Sequence, residues 1–264
     1  VKNFNTENVT DMSFLFDDCC ALTSVDVSNF KTNKVTTMKR MFCYCSSLTS
    51  IDISHFNISS LSNMREMMAK CSKITSVDLS NLRSDNLMDI YGLFAECHNL
   101  EEIKFGNFNT SNVLVMGGLF SRCYKLKSIN LSNFNTECAM NMDGMFQFCH
   151  ELTSLDLRNF KTQNVTTMRN MFNECLKLTS INLSTFKTDK LTDISGLFQN
   201  CQDLEEINFG NNFNTKNVTT MRYLFNGCHK LKSINLSHFN TENTMNMEGM
   251  FHECFGLISL NLSR

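Results

Sequence analysis

The chain has 264 residues with 42% hydrophobic content, enough for a substantial core, and a formal net charge of −2. That charge, with a pI near 6.3, excludes the basic stripe a nucleic-acid binder needs to neutralise phosphates. No apolar run approaches the roughly 20 residues that span a bilayer, and the opening "VKNFNTENVT" lacks the layout of a signal peptide.

From Phe4 onward the same sentence is spelled repeatedly. Phe30, Phe56, Leu82, Phe108, Phe134, Phe160 and Phe186 follow at intervals of 26, then Phe213 at 27 and Phe239 at 26, which makes ten coils. A fixed period of this length marks a solenoid, in which each unit buries its apolar side only against its neighbours. The extra residue falls in "GNNF" before Phe213, a Gly-Asn turn able to absorb it.

Within the first coil, Val9, Met12, Leu15, Phe16 and Cys19 are spaced by three, three, one and three. That spacing predicts one face of a short helix, with Thr10 or Asp11 as N-cap. After Leu22, the alternation in "SVDVS" predicts a short strand with Val25 and Val27 inward and Ser24, Asp26 and Ser28 outward. Stacked coils would pair these strands in parallel about 4.8 Å apart. The expected fold is an α/β solenoid over residues 1–264, each coil a short parallel strand plus a short helix. Val1 and Arg264 both fall in mid-pattern, so the solenoid is expected to be cut at both ends and to expose apolar edges at Phe4 and Leu260.

A slower rhythm overlays the coil. "LMDIYGLFAECHNLEEIKFGNFNT" near Leu87 returns as "LTDISGLFQNCQDLEEINFGNNFNT" near Leu191, and "MNMDGMF" at Met140 returns as "MNMEGMF" at Met245. Groups of four coils were copied, so recurrence of a residue does not by itself mark a site. Absent Pro and Trp, with 23 Phe and abundant Asn, is a skew that an AT-rich coding sequence produces.

The unit seen as "LTSVDVSNFKTNKVTTMKRMFCYC" and "LKSINLSNFNTECAMNMDGMFQFC" resembles the 26-residue subclass of the BspA-like leucine-rich repeat surface proteins. The resemblance covers the whole chain. Departures are few: Leu82 for Phe, Met68 for the Phe of "MF", and Ala139 and Thr244 for the Val of "NVT". It implies a leucine-rich repeat fold, a cell-surface or extracellular location, and adhesion to matrix proteins or other cells as in some members. It implies no catalytic residues and no cofactor.

Ten cysteines share one phase: Cys19, Cys45, Cys71, Cys97, Cys123, Cys149, Cys175, Cys201, Cys228 and Cys254. A reduced thiol column in the core is the expectation, since neighbouring Cβ vectors lie parallel and do not face as a disulfide requires. Cys20, Cys43 and Cys138 fall off phase and are expected to be more exposed. The neighbours Cys97-His98, Cys149-His150 and Cys228-His229 sit on separated coils, so they build neither a zinc site nor a catalytic dyad.

The outward centre of the strand reads Asp26, Asp52, Asp78, Lys104, Asn130 and Asp156 and continues as Asn. This face is the expected partner-binding surface. Stacked Asp26, Asp52 and Asp78 repel one another and could hold a cation such as calcium, but solvated carboxylates bonded to neighbouring Ser are the expected reading. Glu101 with Lys127, and Glu205 with Lys232, share phases on successive coils and are expected to pair. Lys34, Lys39, Arg40 and Arg65 cluster on the other side as a solvated basic face. N-x-S/T triplets, such as those at Asn57 and Asn130, arise from the repeat itself. The function expected is a non-enzymatic surface solenoid that binds a protein or glycan partner, with a self-associating scaffold as the alternative.

Overall fold

The computed structural model of the chain describes residues 4–262. Nine isolated parallel bridges run Asp11↔Thr37, Thr37↔Asn63, Asn63↔Asp89, Asp89↔Val115, Val115↔Asn141, Asn141↔Thr167, Thr167↔Asp193, Asp193↔Thr220 and Thr220↔Asn246. Each joins the same phase of successive coils, and the single step of 27 is Asp193 to Thr220, which brackets the inserted residue. The molecule is a right-through stack of coils in register, a solenoid of the leucine-rich repeat kind.

The core is the column structure that the spacing demands. Phe30, Phe56 and Phe108 are 3%, 4% and 2% exposed and belong to one continuous cluster. Beside them the Phe16-phase rings stack face to face: Phe16 on Phe42 at 5.3 Å, Phe120 on Phe146 at 5.5 Å, Phe146 on Phe172 at 5.8 Å, Phe172 on Phe198 at 5.5 Å and Phe225 on Phe251 at 5.5 Å. Each buried Phe contributes on the order of 1.5–3 kcal/mol, so these two columns dominate the stability of the stack.

The expected strand forms in part of the chain. Three parallel pairs are present: β1 (Ser76–Asp78) with β2 (Glu102–Lys104), β3 (Ser180–Asn182) with β4 (Glu206–Asn208), and β5 (Ser233–Asn235) with β6 (Ser259–Asn261). Registers are in phase, with Val77 opposite Ile103 and Ile181 opposite Ile207. The continuous ten-strand ribbon is therefore replaced, among the described residues, by six strands of three residues each.

The expected helix does not form anywhere among the described residues. From Met12 to Asp18 the chain makes successive tight turns. Leu15, Asp17 and Cys19 donate to the carbonyls of Met12, Phe14 and Phe16, while Phe14, Phe16 and Asp18 donate to Lys39, Met41 and Cys43 on the next coil. Half of the N–H groups thus leave the coil, and an i→i−4 ladder cannot close. Two residues per coil take left-handed φ, such as Phe14 and Asp18 at 60° and, four coils on, Gly118 and Arg122 at 62°, which is the requirement of position i+2 in a type II turn. The expected cap survives in another role, because Asp11 Oδ1 accepts the Ser13 N–H at 2.7 Å and heads the first turn. The fold class is corrected accordingly, from strand plus helix to strand plus stacked turns.

Candidate functional site

The strand-face column is built by a local rule. Asp26 Oδ1 accepts the Ser28 N–H at 3.0 Å, Asp52 that of Ser54 at 3.0 Å, Asp78 that of Ser80 at 2.8 Å, Asn130 that of Ser132 at 3.0 Å and Asp156 that of Arg158 at 3.1 Å. Asn182, Asn208 and Asn235 repeat the bond to Ser184, Gly210 and Ser237. Each is an Asx turn that bends the chain out of the strand, which is why only Asp or Asn fills the phase at most coils. Lys104 is the exception, pairing at 3.8 Å with Glu102 on its own strand.

All six candidate residues, Asp26, Asp52, Asp78, Lys104, Asn130 and Asp156, are exposed and lie along one side of the stack. Hydrogen bonds from the Ser two residues on hold the Asp52 and Asp78 carboxyls below the usual range. Arg158 grips Asp156 at 2.9 and 2.7 Å and lowers it to about 2. Among the described residues no three His, Cys, Asp or Glu side chains gather as a metal site.

Two further Asx columns were not anticipated. Asn57, Asn109 and Asn135 accept the N–H two residues on in the second, and Asn63, Asp89, Asn141 and Asp193 do so in the third. Asn side chains also tie coils together, as when Asn133 Nδ2 donates to Gly106 and Asn159 Nδ2 to Ser132. The abundance of Asn is thus structural. A buried Thr column accompanies it: Thr136 Oγ1 donates to the Lys161 carbonyl at 2.9 Å and accepts the Lys161 N–H at 2.7 Å. The Thr recurring two residues after the Phe on most coils, with Ile58 and Ser84 in its place on two of them, was the signal for it.

Of the ten in-phase cysteines, Cys45, Cys71, Cys97, Cys123, Cys149, Cys175, Cys201 and Cys228 are buried, and Cys19 and Cys254 are half-buried; all are free. From Cys45 to Cys254 the thiols donate to a carbonyl of the preceding coil, Cys97 to Met68 at 3.1 Å and Cys149 to Phe120 at 3.2 Å. Burial pushes the Cys45 thiol up to about 11 and that of Cys97 to about 12. Off phase, Cys20 is exposed and Cys138 half-buried, but Cys43 is only 2% exposed, against expectation. Its phase lies between stacked turns, where a helix would have turned it to solvent. His98, Tyr124 and His150 stack on one another at 4.8 Å without approaching the thiols in function, since the thiols face the core.

The charges settle differently from the expected pairs. Among the described residues, Glu101–Lys127 and Glu205–Lys232 do not close, although all four are exposed, while Lys161–Glu137, Lys177–Glu151 and Lys230–Asp203 pair at 2.7 Å. Two of the four cations in the basic cluster are ion-paired, Arg40 with Asp17 at 3.2 Å and Arg65 with Asp89 at 3.4 Å, while Lys34 bonds the Asn8 amide and Lys39 lies over the Phe14 ring.

Solved structures similar to this chain include a leucine-rich cell surface protein from Faecalibacterium prausnitzii, 18% identical with TM-score 0.46, over 97% of this chain and 77% of that one. Another is the leucine-rich repeat protein of T. pallidum, 17% identical with TM-score 0.38, over 80% and 75% of the two chains. A third, from Eubacterium ventriosum, is 16% identical with TM-score 0.40, over 91% and 78%. None of the curated proteins matches the chain. Three overlapping stretches, residues 1–103, 88–208 and 177–262, fit one repeat family end to end, and the chain belongs to that family, described as "Mycoplasma protein of unknown function, DUF285".

Proposed function

We propose that this chain is a non-enzymatic cell-surface solenoid whose strand face binds a protein or glycan partner in adhesion. The observation that carries the reading is the exposed column Asp26, Asp52, Asp78, Lys104, Asn130 and Asp156, in which the Asx bonds of the five Asp and Asn residues hold them in one pose. Such a row presents polar contacts at coil spacing without the ordering cost that mobile side chains carry. The test uses Asp26→Asn, Asp52→Asn and Asp78→Asn together, because Asn keeps the Oδ1 acceptor and already serves at this phase. Beads coated with the parent chain should be retained on epithelial cell layers, and beads coated with the triple variant should be retained several-fold less. Equal retention of the two overturns binding through this face.

A further inference from the structure

The stacked turns form a second surface, and it carries a groove of its own. Gly92, Gly118 and Gly144 occupy, on three successive coils, the left-handed position held by Arg40 and Glu66 on the two coils before and by Asn170 on the coil after. Where flanking coils raise long side chains, these three raise none. Two of them, Gly118 and Gly144, line with Ala95 and Ser121 a trough of about 430 Å³, within the range of small-molecule sites. A volume of about 430 Å³ spread along six coils, from Arg40 to Asn170, suits two or three linked rings and not a single compact ligand.

The chemistry of the walls narrows the occupant. Three cations (Arg40, Lys70, Arg169) face three anions (Glu66, Glu96, Asp143), so the lining has no net charge. A phosphate or an acidic peptide would find no excess of positive charge, and an apolar peptide would find no apolar floor. Sugar hydroxyls both donate and accept, and the groove offers both: carboxylates and guanidinium groups, with the amides of Gln147 and Asn170 between them. Tyr91 supplies a ring midway along, lying against Gly117 and Gly118 and braced by the Arg65 guanidinium at 4.0 Å. Asp143 is preset, since its Oδ1 already accepts the Thr167 hydroxyl and the Arg169 N–H, the latter at 2.9 Å. We infer that this groove binds a short neutral oligosaccharide. The inference rests on the binding role proposed above, chooses glycan over protein for this surface, and places the contact on the turn face.

The test is saturation-transfer NMR on the full chain with maltose, cellobiose, lactose and N,N′-diacetylchitobiose at millimolar concentration, followed by titration calorimetry of any that bind. Ala95→Tyr and Ser121→Tyr place a ring in the trough from half-exposed positions, and thermal melting verifies that each folds; Gln147→Ala removes a wall amide and serves should either tyrosine variant unfold. At least one disaccharide should bind, with affinity falling by about tenfold or more in the filled variants and by several-fold in Gln147→Ala, and unchanged in Lys187→Ala on a distant exposed position. No transfer to any of the four sugars, or parental affinity in the filled and Gln147→Ala variants, overturns the inference. The strand-face triple variant separates the two readings: if it alone loses the sugar, the groove is wrong and the strand face stands.

Discussion

A thiol in the cysteine column is held by the coil before it, and its chemistry follows from that burial. Cys97 is fully buried and raised to about 12 from an ordinary value near 9.0. The unfolded chain would lose this proton first as pH rises, so the stabilisation is complete below about pH 9 and drains away up to about pH 12, at about 1.4 kcal/mol per pH unit for each such thiol. Urea unfolding followed by circular dichroism should show the midpoint falling steeply over that window. Native labelling with a thiol-specific chromogen at neutral pH should modify Cys20 rapidly and leave Cys97, Cys123 and Cys149 intact until the protein is unfolded. Rapid modification of the column would contradict its place in the core. A second residue-scale prediction concerns Gly118, where an added Cβ meets only Tyr91 Cζ at 3.7 Å and Gly92 at 3.8 Å, ordinary contacts, at φ +62°. Gly118→Ala should therefore isolate the backbone cost and destabilise by about 1 kcal/mol, measured by thermal or urea unfolding.

At the scale of the coil, the element read as a helix is a run of turns with the same apolar spacing. Met38, Met41, Phe42 and Cys45 are all buried in it, as a helix face would bury them, so periodicity alone could not separate the two. The contrary signal was present as glycine: Gly92, Gly118, Gly144, Gly196 and Gly249 fall in the middle of the segment, where a helix interior penalises them. The strand half was legible from its alternation, and Val77, Ile103 and Ile181 point inward as it requires. The Thr column bridges coils more directly than the strands do. Thr136→Val keeps shape but strips both bonds from Lys161, leaving an N–H and a carbonyl without their partner; it should cost about 2 kcal/mol, while Thr136→Ser should cost less than half of that.

Across the whole molecule each coil is supported only by its two neighbours, so stability is shared along the stack and thins where a neighbour is missing. The Phe146 N–H is taken by the Met171 carbonyl and the Phe172 N–H by that of Leu197, each on the following coil. Hydrogen exchange read by mass spectrometry should accordingly place the Phe146 and Phe172 amides among the last to exchange. Rapid exchange at both would contradict the stack. The strand-face row and the turn-face groove lie on this same rigid stack, and both depend on the register that the nine bridges maintain.

The number of coils, their period, the inward Phe and Cys columns and the place of the inserted residue were all determined by the sequence alone, because a one-dimensional repeat forces like phases to lie over like. What only the tertiary structure decided is where the backbone hydrogen bonds go. Alternate N–H groups cross to the next coil, which turns the helical spacing into stacked turns, buries Cys43, gives Asn its bracing work and, where Gly118 and Gly144 raise no side chain, leaves a groove. Those outcomes depend on contacts between residues about one coil apart, and no local spacing encodes which carbonyl an amide will choose.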